Sequence, residues 1–483
     1  MNNAIRHTWV VSVAMFVVLF AALSYVQVAA TEELNADPNN VRQLYQDRGA
    51  PRGAITVDGT AVAESVPSES GNFDYQRVYH DPELYFGLTG AFSIAEPPTG
   101  IEAAMNDYLT GQSDSQFFDR MTSLFTGETM EGAQVELTID PELQRLAYDT
   151  IPDDTRGSII VTDVETGEVK AMASKPSFDT NDLAVHSTTE FNENKAGIED
   201  IDGLNMYHYR PLRSTIAPGS TFKLIDLVAM LESGDYEPDD VLDNQNEIEL
   251  PQSDRTLSNF FGGICEQQSQ ADLFFITAQS CNTPFAEAAM EMGEDPIREA
   301  AEAFGWNDDG LSIPLQVSAS QFPETESDAV LAYSSIGQGS VTSTPLQMNM
   351  VAMAIANDGT LMQPNLVDSV RGSDLQMIEQ PEPEVYAEPI DSSLADELTE
   401  LMLGPVESGT AMGAQTDAFD IAAKTGTAQI GDTDLVNSWV TGFAPADDPQ
   451  YAVTVTYERI DYDYGSSLTA PNMLTMFEAV IEE

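Results

Sequence analysis

Ser220 and Lys223 stand three residues apart in the stretch Arg213-Ser-Thr-Ile-Ala-Pro-Gly-Ser-Thr-Phe-Lys223, and together they can make a nucleophile. Pro218-Gly219 reads as a turn, and apolar residues recur at helical spacing over 220–231, which predicts that Ser220 lies in the first turn of a buried helix. Three residues are nearly one turn, so the Lys223 amine comes up beside the Ser220 hydroxyl, while first-turn N–H groups point toward whatever that hydroxyl attacks. A serine hydroxyl is a poor nucleophile at its free pKa, and a lysine partly desolvated among apolar residues can be a neutral amine that takes its proton. The bare pair also reads as a helix cap beside a solvated lysine. Two further segments weigh against that. Ser280-Cys281-Asn282 lies sixty residues on, in 273–289, a segment that reads as helical before and after a local break. Lys424-Thr425-Gly426-Thr427-Ala428 follows the apolar lead 419–423 and precedes 434–445, which reads as a strand pair.

The order Ser-x-x-Lys, Ser-x-Asn, Lys-Thr-Gly is the signature of class A β-lactamases and penicillin-binding proteins. Further stretches extend the likeness: Arg48-Gly-Ala-Pro-Arg-Gly53, Leu137-Thr-Ile-Asp140, Thr166-Gly-Glu-Val-Lys-Ala-Met172, and Gly337-Gln-Gly339 with Thr344-Pro-Leu-Gln347. From about residue 45 to the end the chain resembles the class B penicillin-binding proteins, monofunctional D,D-transpeptidases of the bacterial cell wall, and most closely their short actinobacterial A type. It departs at Ala423, where the family often has a second glycine, and at Asn437-Ser438-Trp439, where His-Ala-Trp is more usual.

The resemblance implies a role for each residue. Ser220 attacks the penultimate D-Ala carbonyl of a peptidoglycan stem peptide and becomes acylated, with Lys223 as its base. Ser280 links Lys223 and Lys424 in a proton path to the leaving D-Ala, and Asn282 orients Lys223 and the substrate amide. Lys424 and Thr425 receive the terminal carboxylate, Gly426 lets the backbone come close, and the Thr427 N–H forms the oxyanion hole with that of Ser220. Trp439 walls the cleft or packs in the core. A neighbouring stem-peptide amine as acceptor makes a cross-link, and water would make a D,D-carboxypeptidase. A β-lactamase would need a deacylating group, and a catalytically idle scaffold would not need all three motifs. β-Lactams are implied as covalent inhibitors and a polytopic glycan polymerase as membrane partner; neither a metal nor an organic cofactor is implied.

Elements must hold these groups in place. Over 157–172 the chain reads as a hairpin, with the apolar strand 158–162, the turn 163–167 and the return 168–174. Strands are expected at 437–444 and 451–457, and helices at 220–230, 273–292, 296–304 and 345–356. Sheet pieces at both ends with helices between them fit an α+β class and, through the resemblance, the serine transpeptidase fold, an antiparallel sheet flanked by helices. Residues 146–483 form that domain in this reading, and 35–145 a smaller pedestal that binds partners. In the pedestal, 53–57 with Asp58-Gly59 reads as strand and turn, 100–111 as a short helix, and Arg48 with Arg52 as the basis of a local network.

Location comes from the first thirty residues. Trp9 to Ala30 is a 22-residue run without charge, preceded by Arg6 and His7, long enough to cross a bilayer. The reading is a short cytoplasmic tail at 1–8, a single-pass anchor at 9–30 and an extracytoplasmic remainder, with a cleaved signal peptide as the alternative. Beyond it, 80 acidic against 19 basic residues give a formal net charge of −61. Such a chain repels itself in dilute buffer and is relieved by salt, which points to a halophilic source; it offers no basic surface for nucleic acid. The two cysteines, Cys265 and Cys281, have no metal-spaced neighbours. On the oxidising side of a membrane they read as a disulfide, with two buried thiols as the alternative.

Overall fold

The computed structural model describes residues 2–26, 51–68, 73–117, 120–121, 131–259 and 263–481. Helix α1 (Asn2–Ser24) begins earlier than the expected anchor, and its stretch Ile5–Ser24 is long and apolar enough to cross a membrane. The end of the expected span, 27–30, lies outside the described residues, as does Arg48.

Five antiparallel strands form the sheet that carries the site: β5 (Arg156–Asp163), β6 (Val169–Lys175), β9 (Ala422–Gln429), β10 (Leu435–Ala444) and β11 (Tyr451–Asp461), in the order β9-β10-β11-β5-β6. Both faces are covered, so successive side chains of one strand enter different cores. Ile160, Trp439, Phe443 and Ala452 join the core containing helix α6 (Pro345–Ala356). Ile159, Val161, Val440, Val453 and Val455 join the core built with α2 (Pro141–Thr150) and α7 (Tyr462–Ile481). The expected 157–172 hairpin and the 345–356 helix are present. Residues 434–445 are one strand rather than a pair: β10 takes β9 on one side and β11 on the other.

The smaller sheet runs β8-β7-β4-β1-β2-β3 and contains β1 (Ile55–Val57), β2 (Thr60–Pro67), β3 (Tyr75–Tyr79) and β4 (Gln134–Leu137). Its other two strands, β7 (Val367–Arg371) and β8 (Met377–Glu379), come from the last third of the chain: Val367 pairs with Leu137 and Val370 with Val135. The β1–β2 turn is the expected Asp58-Gly59, with φ +48° and +68° suiting a tight hairpin. The 100–111 helix is two short ones, Gly100–Ala104 and Asn106–Leu109. Arg52 does enter a network, with Arg77 and Glu102 as its partners: Nε atoms of the two arginines sit 2.8 and 2.5 Å from the Glu102 carboxylate, all three buried. Burial would push that carboxyl up, and the two guanidiniums together hold it below its usual range.

Candidate active site

Gly219–Phe222 forms one 3-10 turn, and helix α3 (Lys223–Ser233) begins immediately after it. Ser220 therefore stands on the tighter turn ahead of the α-helix rather than inside it, half-buried at the mouth of the site. The turn is held from two sides. Thr221 Oγ1 donates to Pro218 O at 2.8 Å, and Gly219 N donates to Gly337 O at 2.9 Å. Gly337 thus lies against the residue preceding the serine, which places Gly337-Gln-Gly339 beside the site, and Gln338 Nε2 donates to Thr427 O at 3.4 Å.

The expected break in 273–292 falls at Ser280, whose φ of +58° is in the left-handed region. Helix α4 (Leu273–Ala278) stops there and α5 (Thr283–Met292) restarts with Pro284 in its first turn. That conformation turns the carbonyls of Ser280 and Cys281 toward Lys223. Its Nζ donates to Ser280 O at 2.9 Å, Cys281 O at 2.8 Å and Asn282 Oδ1 at 2.8 Å. On the other side of the same residue, Lys424 Nζ donates to Ser280 Oγ at 2.8 Å and to Thr425 O at 3.0 Å. Ser280 is the point where the two lysines meet.

Both lysines are fully buried. Burial pushes Lys223 well below the ordinary amine range, and the Lys424 charge pushes the same way, opposed by Asp226. Burial alone brings Lys424 down to about 7. Three carbonyl acceptors around Lys223 suit its ammonium form while desolvation opposes it, so the proton is gained and lost easily. Among the described residues the Ser220 hydroxyl has no hydrogen-bond partner, so it is free to turn toward a substrate or toward Lys223.

Strand β9 is the edge of its sheet, and it lies against the Ser220 turn. A Cβ on Gly426 would come 2.5 Å from Pro218 O and 3.0 Å from Thr221 N, so only glycine permits that approach. A Cβ on Gly219 would lie 2.7–2.8 Å from the Thr427 backbone, which brings Thr427 beside the residue preceding Ser220. Thr425 is half-buried and shares a hydroxyl hydrogen bond with Thr410. Ala423, where the family often has glycine, is buried opposite Gly442.

Trp439 does not wall the cleft. It is fully buried, and its Nε1 donates to Ala217 O at 3.1 Å, so it supports the turn from below. The reason is register: Trp439 lies on the face of β10 that points into the α6 core. Cys265 and Cys281 are joined by the expected disulfide, which fastens the segment around Cys265 directly to the Ser280–Asn282 turn. Asn259 was not singled out from sequence, yet it is buried and its Oδ1 accepts from Asn282 N at 2.6 Å and from Thr283 N at 3.1 Å. One asparagine in a polar, turn-rich stretch carries no signal of that kind. Among the described residues no His, Cys, Asp and Glu cluster suits a metal ion.

The model described as "Penicillin binding protein transpeptidase domain" matches residues 157–482, and that described as "Penicillin binding protein A dimerisation domain" matches 52–135. The chain is 37% identical over 478 residues to the peptidoglycan D,D-transpeptidase PbpA of Mycolicibacterium smegmatis, covering 97% of this chain and 96% of that one. It is 33% identical to the protein of the same name from Mycobacterium tuberculosis H37Rv, covering 100% and 99%. The ceftriaxone acyl-enzyme structure of penicillin-binding protein A from M. tuberculosis superposes with a TM-score of 0.86 at 33% identity, over 90% of this chain and 100% of that one. A D,D-transpeptidase domain from Eggerthella lenta superposes at 0.77 with 30% identity, over 90% and 99%. With sequence, fold and motif geometry in agreement along nearly its whole length, the chain belongs to the penicillin-binding protein transpeptidases.

Proposed function

We propose that this protein is a serine D,D-transpeptidase that cross-links peptidoglycan stem peptides and is acylated by β-lactams. The observation that carries the reading is the meeting of two buried lysines at Ser280, one on its carbonyl and one on its hydroxyl, beside a serine on a tight turn. In this reading Ser220 Oγ attacks the penultimate D-Ala carbonyl and its proton passes to Lys223. The backbone N–H groups of Ser220 and Thr427 receive the oxyanion, and Asn282 orients Lys223 and the substrate amide. The leaving D-Ala takes its proton along Lys223, Ser280 and Lys424; the Lys424 Nζ contact to the Ser280 hydroxyl supports the second link, while Lys223 Nζ meets the Ser280 carbonyl. Lys424 and Thr425 receive the substrate carboxylate, and an amine of a neighbouring stem peptide then attacks the acyl-enzyme.

The same proposal makes α1 a single-pass anchor, leaves residues 146–483 as the catalytic part on the outer side of the membrane, and gives 35–145 the role of pedestal toward a polytopic glycan polymerase. Support comes from the apolar helix Ile5–Ser24 and from the small sheet, four of whose six strands lie between Ile55 and Leu137. A fluorescent penicillin incubated with the detergent-solubilised protein tests the chemistry. A stable adduct on the wild type that is lost in Ser220→Ala is expected; undiminished labelling of that variant removes Ser220 from the role.

A further inference from the structure

Of 80 acidic residues, only Glu102 and Asp226 are buried among those described. Glu102 has two arginines in contact. Asp226 has neither carboxyl oxygen hydrogen-bonded, although it is 1% exposed. It sits on α3 three residues after Lys223, within one helical turn and on the same side. An acid placed there without contacts is expensive to bury, and a neutral residue would fill the space more stably.

We propose that Asp226 is a positioning residue for acylation: its carboxylate is the internal counter-charge that keeps Lys223 basic enough to take the Ser220 proton. This rests on the reading of Ser220 and Lys223 given above. In the step, the Ser220 O–H bond breaks and its proton moves to the neutral Lys223 amine. The oxygen's electron pair forms the new bond to the carbonyl carbon, and the scissile C–N bond breaks as its nitrogen takes up a proton. The ammonium so formed is buried beside Lys424, and both features disfavour it. The carboxylate one turn along acts through space in the opposite sense. It does so without competing for the lysine's hydrogen bonds, all three of which go to the 280–282 turn.

Other charges do not share this task. Three helices pack on α3: Thr283–Met292, Glu294–Ala303 and Ser392–Ser408. Their charged groups nearest the interior, Glu287, Glu294, Arg298 and Glu397, are half-buried, and the rest are exposed. Among the described residues Lys223 is the one charged group that acts on Asp226. Burial carries the Asp226 carboxyl well above the ordinary carboxylate range, and the Lys223 charge offsets only part of that, so the carboxylate depends on the ammonium it faces.

The test is the pH profile of penicillin acylation by the full-length protein in detergent. Removing a nearby negative charge weakens the ammonium form, so Asp226→Asn moves the acid limb of the profile to lower pH by about one unit or more, and lowers the plateau because a weaker base takes the proton less readily. Asp226→Glu returns the limb toward its wild-type position. A folded Asp226→Asn protein whose limb stays in place overturns the proposal, because a carboxyl that only fills space is replaced by its isosteric amide without effect on titration. Should Asp226→Asn not fold, infrared spectroscopy of the wild type gives the answer. With Glu102 ionised between two arginines, the band of a buried, protonated carboxyl above the acid limb belongs to Asp226 and overturns the proposal; its absence supports it. Failure of wild-type labelling would instead strike at the proposed function.

Discussion

Gly337→Ala isolates the fit behind the catalytic turn. Gly337 has φ +68°, and a Cβ added there would lie 2.0 Å from Gly219 O, 2.7 Å from its carbon and 2.9 Å from its nitrogen. Ordinary contact begins at 3.4 Å, so the two segments must part by more than an ångström. The obstacle is backbone, which has no rotamer to escape into. Gly219 precedes Ser220 and donates its own N–H to Gly337 O, so the displacement passes directly to the nucleophile. A misplacement of about 1 Å costs about 100-fold in rate. Alanine in a left-handed conformation adds about 1–2 kcal/mol of strain, and Gly234 controls for that. It has φ +73° with no atom within 4 Å of the added Cβ, and it closes the far end of α3. Stopped-flow acylation and thermal melting of both variants separate the effects: Gly234→Ala loses about 1–2 kcal/mol of stability, Gly337→Ala loses more because of the added clash, and only Gly337→Ala loses about 100-fold or more in acylation rate. A folded Gly337→Ala protein acylating within about threefold of wild type would refute the reasoning.

Reducing the Cys265–Cys281 bridge reopens a short loop worth about 3 kcal/mol in the chain-entropy account. Acylation should slow about tenfold or more, because the Ser280–Asn282 turn loses its tether, while the melting temperature falls modestly; an unchanged rate after complete alkylation of both thiols counts against the tether. Lys424, brought down to about 7, is charged below that pH and neutral above it. Binding of a β-lactam carboxylate should therefore weaken by up to about tenfold per pH unit above 7, and that of its methyl ester should not, as competition against the fluorescent penicillin will show. The net charge of −61 predicts a melting temperature that rises by at least a few degrees as the Debye length shrinks from about 10 Å at 0.1 M salt to about 3 Å at 1 M. A flat melting curve would remove the halophilic inference.

What the sequence revealed most clearly was chemistry carried by short spacings. Ser220 and Lys223 are bound together by one turn, Lys424 to Thr427 by one strand, and 345–356 by a helix buried all round, so local rules suffice. The break inside 273–292 was visible too, although its cause was hidden. Nothing in Ser280 announces a left-handed residue, a conformation imposed by the carbonyls that Lys223 gathers. Trp439 illustrates the limit of reading function from residue type, because its direction depends on strand parity within a sheet paired on both sides. Arg52, read with Arg48 as the basis of a local network, faces Arg77 across Glu102, fifty residues away in sequence. Long-range pairings of this kind follow from packing that no local pattern encodes.

Strand β4 also has a consequence in time. Its partner β7 lies about 230 residues further along the chain, and without it Gln134–Leu137 is the open edge of a four-stranded sheet. At a synthesis rate of about 5–20 residues per second, that edge waits on the order of ten to fifty seconds for its mate to emerge. Throughout that interval its N–H and C=O groups are a template for any extended chain nearby. The late segment must therefore arrive before a stray strand takes its place. Shortening the chain anywhere ahead of residue 367 makes the exposure permanent, so the product of such a cut is an aggregation and proteolysis substrate rather than a smaller working unit.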